Sequence, residues 1–428
     1  MAQFTAPNGL IAELTAHRTD LWGVTTAQQP FPLYGEEFKR EPHCPYARLR
    51  ERAPLHRVEF PSGVVGWIVT GYHAATELLT DPEMSKDHRN GTEEWRATAS
   101  RMPEPYQSRM QVHLMHRDAP DHTRMRRMLA DTLSPRNVER LRPRATEIAG
   151  ELADRIGGEP VDLLASFAFP YAFTVLCELI GVPGAYRDRF DRRWCEAVNT
   201  VGPRHPRRAE YVGILAELDA YIAELLAFKR RAPGDDLISA LIARQDAGDL
   251  SAGELSSMVF QLLIPGSGPV MTFLGNAVLT LLRHPEQLAE LRADPGLLPG
   301  AVDELLRFES PFELTTWRLT KQDRRMFGGD VPAGNPVMAS LAAANRDPAR
   351  FDEPGTLNLR RSPNPHLAFG HGSHYCPGAA LARMEGQVAL RVLLTRFPGL
   401  RLAVPEEELT WTQAVLVRGL TSLPVRTC

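Results

Sequence analysis

The most constraining feature of this chain is an apolar stretch from Ala252 to Arg283 that carries "LIPGSGPVMT", Leu263 to Thr272, at its centre. Ser251 and Glu254 are spaced as a capping box ahead of "LSSMVFQLL", and the apolar pattern resumes as "FLGNAVLTLL" before stopping at His284-Pro285. One long helix of roughly 47 Å at 1.5 Å per residue fits that pattern. Pro265, Gly266, Gly268 and Pro269 oppose it. Two interior prolines cost about 3 kcal/mol each and two glycines about 1 each, against a domain stability of only about 5–15 kcal/mol. The expectation is one long helix interrupted at its middle, with tertiary packing offsetting the break.

Packing on that scale needs a large core, and 428 residues, 43% of them hydrophobic, can supply one. The formal net charge is −3, with 49 basic and 52 acidic residues interspersed, so no nucleic-acid footprint is expected. Arginine clusters such as "RRAE" and "KRRAP" read as solvated helix faces. No uninterrupted apolar run reaches the ~18–20 residues of a membrane span, and the first residues lack a signal-peptide plan. A soluble, cytoplasmic chain is the expectation. Cys44, Cys177, Cys195, Cys376 and Cys428 are odd in number and contain no CxxC, which argues against a disulfide framework or a structural zinc site.

Along the chain, residues 1–30 read as a lead-in to a single domain over 31–428. "CPYARLRERAPLHRVEF" predicts a helix feeding a strand and "GVVGWIVT" a second strand. Helical periodicity then dominates from Ala74 to Leu400, broken by Pro/Gly loops at 102–106, 134–136, 202–206, 232–235, 295–300 and 362–366. Late strands are expected in "DVPAGNPVMAS" and in "AVLVRGLTSLPV", the latter with a glycine-containing hairpin turn. The chain therefore reads as mostly α with small β-sheets.

The residues richest in chemistry are "HLAFGHGSHYCPGAALARMEG", His366 to Gly386. Gly370, Gly372 and Gly378 bracket Cys376 just before a predicted helix, where the helix dipole and free amides favour a thiolate. On residue types alone, Cys376 is a candidate thiolate ligand. His366, His371, His374 and Cys376 equally suit a zinc site, or a buried cysteine among surface histidines.

The spacing Phe369-Gly370-x-Gly372-x-His374-x-Cys376-x-Gly378 resembles the haem-binding loop of the cytochrome P-450 family, whose cysteine thiolate ligates the iron. Further matches follow in "AVDELLRFESP", "DAPDHTRMRRML" and the long apolar helix, so the resemblance covers nearly everything after residue 30. It implies a triangular, mostly helical domain with haem b between two long helices, and Cys376 as the axial ligand. It also implies that Glu304 and Arg307, i,i+3 on one helical face, brace the structure behind the haem. His122, Arg126, Arg318 and His374 are implied to hold the haem propionates, because buried carboxylates need charge-assisted donors. Arg124 and Arg127 are candidates for docking an acidic redox partner, or plain solvated arginines.

Two departures from the family pattern stand out. Where the family's helix over the haem carries an acid and an alcohol that help deliver protons to bound dioxygen, this chain has Gly268 and Pro269, and neither relays a proton. Ser267 is the nearest hydroxyl. Pro269 and Pro265 also remove the amides that would bond the Pro265 and Gln261 carbonyls, leaving these free for water or substrate hydroxyls. Three readings compete: monooxygenation with protons from water or the substrate, hydrogen abstraction without oxygen insertion, and peroxide-driven turnover. Gly268 weakens the last, since peroxide-using relatives place an arginine there. The second departure is Pro377, which removes an amide that normally points at the thiolate.

The resemblance places the substrate pocket against this helix, the loop around residues 86–115, a lid near 185–230 that breaks at Gly202-Pro203 and Pro206, and two late segments. Leu263, Ile264, Val270, Leu314, Thr315, Leu416 and Val417 are the candidate wall residues. No flavin or iron–sulfur motif is visible, so electrons are expected from a ferredoxin and its reductase, with NAD(P)H used indirectly. The implied activity is oxidation of a natural-product intermediate such as a polyketide or peptide, free or carrier-protein-bound, by a monomer of the actinobacterial type. A catalytically silent haem protein that binds a ligand or recruits a partner is the alternative.

Overall fold

The computed structural model describes residues 31–60, 63–98, 102–157, 160–198 and 205–427. The lead-in over 1–30 and the Gly202-Pro203 break lie outside the described residues. Eleven short strands are described: β1 (Phe31–Pro32), β2 (Leu55–Glu59), β3 (Val65–Val69), β4 (Met84–Ser85), β5 (Val161–Asp162), β6 (Arg318–Thr320), β7 (Arg324–Met326), β8 (Gly329–Val331), β9 (Pro336–Ala339), β10 (Arg401–Leu402) and β11 (Pro424–Arg426). Six of them form one mixed sheet in the order β1-β2-β3-β9-β6-β4. The β2–β3, β9–β6 and β6–β4 pairs are antiparallel, and the β1–β2 and β3–β9 pairs parallel. A three-stranded sheet β10-β11-β5 and the hairpin β7–β8 complete the β structure.

Helices make up most of the rest. Those that position the site are α1 (His43–Arg52), α2 (Asp121–Leu129), α3 (Pro135–Asp154), α4 (Phe169–Ile180), α5 (Arg208–Arg231), α6 (Ala252–Arg283), α7 (Leu298–Phe308) and α8 (Ala379–Arg396). Buried apolar residues of α3 to α8 merge into one large core, while Leu33, Phe38, Tyr46, Ile68 and Met338 belong to a separate core on the sheet.

The predicted interruption of α6 is absent, for the helix runs unbroken from Ala252 to Arg283. Its capping box forms as expected: Ser251 Oγ accepts from the Glu254 amide at 3.2 Å, and Glu254 Oε2 accepts from the Ser251 amide at 2.8 Å. Pro265 and Pro269 are four residues apart, so both missing amides fall on one face of the helix. The other faces keep their hydrogen bonds and bury Leu262, Leu263, Ile264, Ser267 and Val270. By length and composition α6 could cross a membrane, but 72% of its most apolar window is buried inside the protein, which makes it a core helix.

Glu304 and Arg307 on α7 meet as their spacing predicts. Both side chains are 0% exposed, and the guanidinium grips the carboxylate at 2.7 and 2.8 Å. Arg307 also donates to the carbonyls of Asn345, Pro354 and Thr356, while Glu304 accepts from the Asn358 amide, Arg361 and Asn364. This satisfied network ties α7 to the long loop that leads into the Cys376 segment.

Candidate functional site

Cys376 sits at the end of a tight loop ahead of α8. Its amide donates to the Phe369 carbonyl at 2.9 Å, which closes the loop around Gly370 and Gly372. Gly372 has φ 74°, and a Cβ there would lie 2.6 Å from the Leu79 carbonyl oxygen, so only glycine fits. Phe369 lies under the Arg383 guanidinium at 4.5 Å, and Arg383 in turn bonds Asp303 at 2.7 Å. Burial pushes the Cys376 thiol above its usual value, opposed by the Gly378 amide and by the guanidinia of Arg126 and Arg383. With proline at 377, the amide of Gly378 is the one that addresses the sulfur. Of the zinc-site alternative, His366 is engaged with Asp303 at 3.0 Å and His371 is exposed. Among the described residues no three His, Cys, Asp or Glu side chains stand together as metal ligands.

Beside this loop, basic side chains crowd together. His122 and His374 lie against each other with ring centroids 4.0 Å apart and planes tilted by 40°, and Arg126 donates to the Tyr375 carbonyl at 2.5 Å. Arg318 is buried, with one bond at 3.5 Å to the Leu79 carbonyl. Lys86, which sequence reasoning missed, is buried with them and donates to Thr316 Oγ1 at 2.5 Å and the Trp317 carbonyl at 2.6 Å. Burial followed by mutual repulsion depresses Lys86, His122 and His374, while burial alone lowers Arg126 and Arg318: Lys86 falls well below its usual value, and His374 is pushed down to about 2 by burial, Lys86, His122, Arg318 and Arg126. Arg318 falls to about 10. Asp118 is the carboxylate that opposes them, and it is already committed to Ser85 and the Lys86 amide. Five bases with so little counter-charge form a site shaped for an anion.

On α6, Gln261, Pro265, Gly268 and Pro269 are partly exposed and fall at i, i+4, i+7 and i+8, on one face of a largely buried helix, with Gly266 and Met271 partly exposed as well. A Cβ built on Gly268 meets nothing within 4 Å, so space adjoins it. Ser267 lies about 200° around the helix from Pro265 at 100° per residue. It is fully buried and its Oγ has no partner. Thr272, one turn beyond Gly268, carries the next hydroxyl on that side of the helix and is buried against Gly419; it was not singled out from the sequence.

The sequence-predicted wall residues divide. Leu416 and Val417 are partly exposed at the tip of a late hairpin. Leu263, Ile264 and Val270 are packed into the main core, and Leu314 into the sheet core. Thr315 is bound into the sheet: its Oγ1 accepts from the Ala339 amide at 3.0 Å. Helical geometry separates them, since Leu263, Ile264 and Val270 sit beside the open face rather than on it. Arg124 is not free to dock a partner, because it donates to Glu254 and to the Asp249 carbonyl, both at 2.5 Å.

Comparison with known proteins decides what this arrangement belongs to. The cytochrome P-450 family model matches residues 205–416. Cytochrome P-450 107B1 of Saccharopolyspora erythraea is 42% identical over 409 residues, 94% of this chain and 99% of its own length. This chain belongs to the cytochrome P-450 family. The solved structure of the P-450 monooxygenase TamI with tirandamycin C is 42% identical, with a TM-score of 0.83 over 92% of this chain and 98% of its own. That of CxnD, a P-450 for C–S bond formation in chuangxinmycin biosynthesis, is 36% identical, with a TM-score of 0.87 over 95% of this chain and 98% of its own.

Membership in the P-450 family implies a haem-thiolate centre, and the residues present fit it. The orphaned, buried His122 Nε2 and the five crowded bases call for carboxylates, and haem brings two. The Gly378 amide and the guanidinia of Arg126 and Arg383 favour the thiolate form of Cys376, the form that ligates iron. Gly268 and Pro269 stand on the open face of α6.

Proposed function

We propose that this P-450 oxidises a natural-product intermediate and takes its protons from water or from the substrate itself. Bound haem would supply dioxygen activation. Cys376 would hold its iron, and His122, Arg126, Arg318, His374 and Lys86 its carboxylates. The observation that carries the reading is the open face of α6, where Gln261, Pro265, Gly268 and Pro269 offer no acid and no alcohol. Instead, the two prolines withdraw the amides that would bond the Gln261 and Pro265 carbonyls, so the face presents acceptors. Acceptors and space at Gly268 suit a water or a substrate hydroxyl, which then stands where a side chain would otherwise relay. PksS of Bacillus subtilis, 36% identical and named for polyketide biosynthesis, supports a polyketide-like substrate, and electrons would come from a ferredoxin and its reductase.

A second reading is favoured by one observation. CxnD, similar over 95% of this chain, is named for C–S bond formation, so hydrogen abstraction without oxygen insertion also suits a site that lacks the relay. Substrate-dependent NADPH consumption with a surrogate ferredoxin, product analysis in 18O-labelled dioxygen and peroxide release test both. Labelled product supports insertion, and unlabelled, two-electron-oxidised product supports abstraction. The absence of substrate-dependent consumption across a panel of macrolactones and small peptides would contradict both and favour a silent haem protein.

A further inference from the structure

The late hairpin that carries Leu416 and Val417 is fixed at its base and held on one side of its tip, where the Glu313 amide donates to the Leu416 carbonyl at 2.8 Å and Val415 and Leu416 pack on the sheet core. Thr412 donates to the Gly419 carbonyl at 2.8 Å and Thr421 to the Thr410 carbonyl at 2.9 Å. Between them, Ala414, Val415, Leu416 and Val417 remain partly exposed, while Arg418 and Gly419 are buried. Every polar group of Arg418 is committed. Its amide donates to the Pro311 carbonyl at 3.0 Å and its carbonyl accepts from Asn276 Nδ2 on α6 at 2.9 Å. Its guanidinium binds Glu309 at 2.9 Å, the Lys39 carbonyl, and the Arg40 carbonyl at 3.2 Å, and it stacks on Trp411 at 3.9 Å. Gly419 touches α6 as well, since a Cβ there would lie 2.4 Å from Thr272 Cγ2.

Asn276 makes this tie at a cost. Its Oδ1 is buried without a protein partner, while its Nδ2 supplies the bond that the buried Arg418 carbonyl needs, so the residue both satisfies that carbonyl and fixes the hairpin against α6.

We propose that Asn276 and Arg418 are positioning residues of the substrate wall: they clasp the hairpin to α6 and so set how far its tip reaches over the Gly268–Pro269 face. The proposal rests on the reading of that face given above.

The test uses the haem-loaded protein and two iron-binding probes, imidazole and 4-phenylimidazole, titrated by the shift in haem absorbance. Imidazole is too small to reach a wall, and the phenyl ring extends toward one. Asn276→Leu is expected to keep its imidazole affinity while its 4-phenylimidazole affinity changes about fivefold, the worth of one hydrogen bond, and to melt somewhat below the parent because the Arg418 carbonyl loses its donor. Arg418→Lys should shift the same ratio, and Val417→Ala should shift it in the parent but less in the Asn276→Leu background. An unchanged ratio in both clasp variants, with Val417→Ala still effective, would overturn the clasp and leave the wall standing. No effect of Val417→Ala would overturn the wall and the clasp together, and a parent protein that shows no imidazole shift would overturn the haem site beneath them.

Discussion

Replacing Arg307 by alanine removes five hydrogen bonds at once: two to Glu304 and one each to the carbonyls of Asn345, Pro354 and Thr356. Breaking a buried ion pair costs about 3–5 kcal/mol, because the remaining charge stays buried. Here the low end applies to the pair itself, since Glu304 keeps the Asn358 amide, Arg361 and Asn364. Each abandoned carbonyl adds about 1 kcal/mol where water cannot reach it. The total, about 4–6 kcal/mol, is a large share of a stability of about 5–15 kcal/mol. Urea unfolding followed by tryptophan fluorescence reads it as a lower midpoint at unchanged slope. Arg307→Lys should fall between parent and alanine, because a lysine keeps the charge but not the fork that serves Glu304 and three carbonyls. A loss under about 1 kcal/mol for Arg307→Ala, against the buried-pair value, would refute the brace.

Other outcomes follow from the same geometry. Lys86→Met should stabilise the haem-free protein, by removing a buried and repelled charge, yet speed haem loss to apomyoglobin, by removing a donor to its carboxylates. Gly268→Ala should be neutral or stabilising by up to about 1 kcal/mol in a thermal melt, since the new methyl meets nothing and the helix gains propensity. The histidines His113 and His116, whose rings lie 4.7 Å apart, should make the protein acid-labile. Burial, then His88, hold both down, His113 to about 3, with Arg117 and Lys86 adding to the first and Lys86 to the second. A base depressed on folding takes up its proton on unfolding, so stability is full above the unfolded value near 6.5 and falls as the pH drops below it. The slope should approach about 1.4 kcal/mol per pH unit per histidine, and His113→Gln should reduce it in urea titrations between pH 6.5 and 5.

Much of the site was legible in the sequence because its parts are local. The capping box of α6 and the Glu304–Arg307 ion pair depend on spacings of a few residues and form in the structure, and the Cys376 loop is closed by the bond from its amide to the Phe369 carbonyl. Lys86 was missed because it enters the basic cluster from β4, more than thirty residues before His122, and nothing in its neighbours signals burial. Arg124 looked available for a partner, but it is captured by the cap of α6 across a separation of 130 residues. Leu263, Ile264 and Val270 were placed on the wall because they flank the prolines. Their true facing depends on where a 32-residue helix rotates against its neighbours, and the core decides that. The same packing explains why two prolines bend expectation more than they bend the helix.

The seat of haem on Cys376 is the claim on which the rest depends. It is tested most directly by the absorbance of the reduced, carbon-monoxide-treated protein beside that of Cys376→Ser, both reconstituted with haem. The account predicts the thiolate-type red shift in the parent and its loss in the variant, with haem still retained by the basic cradle. A red shift that survives in Cys376→Ser, or one that is missing from the parent, would contradict it.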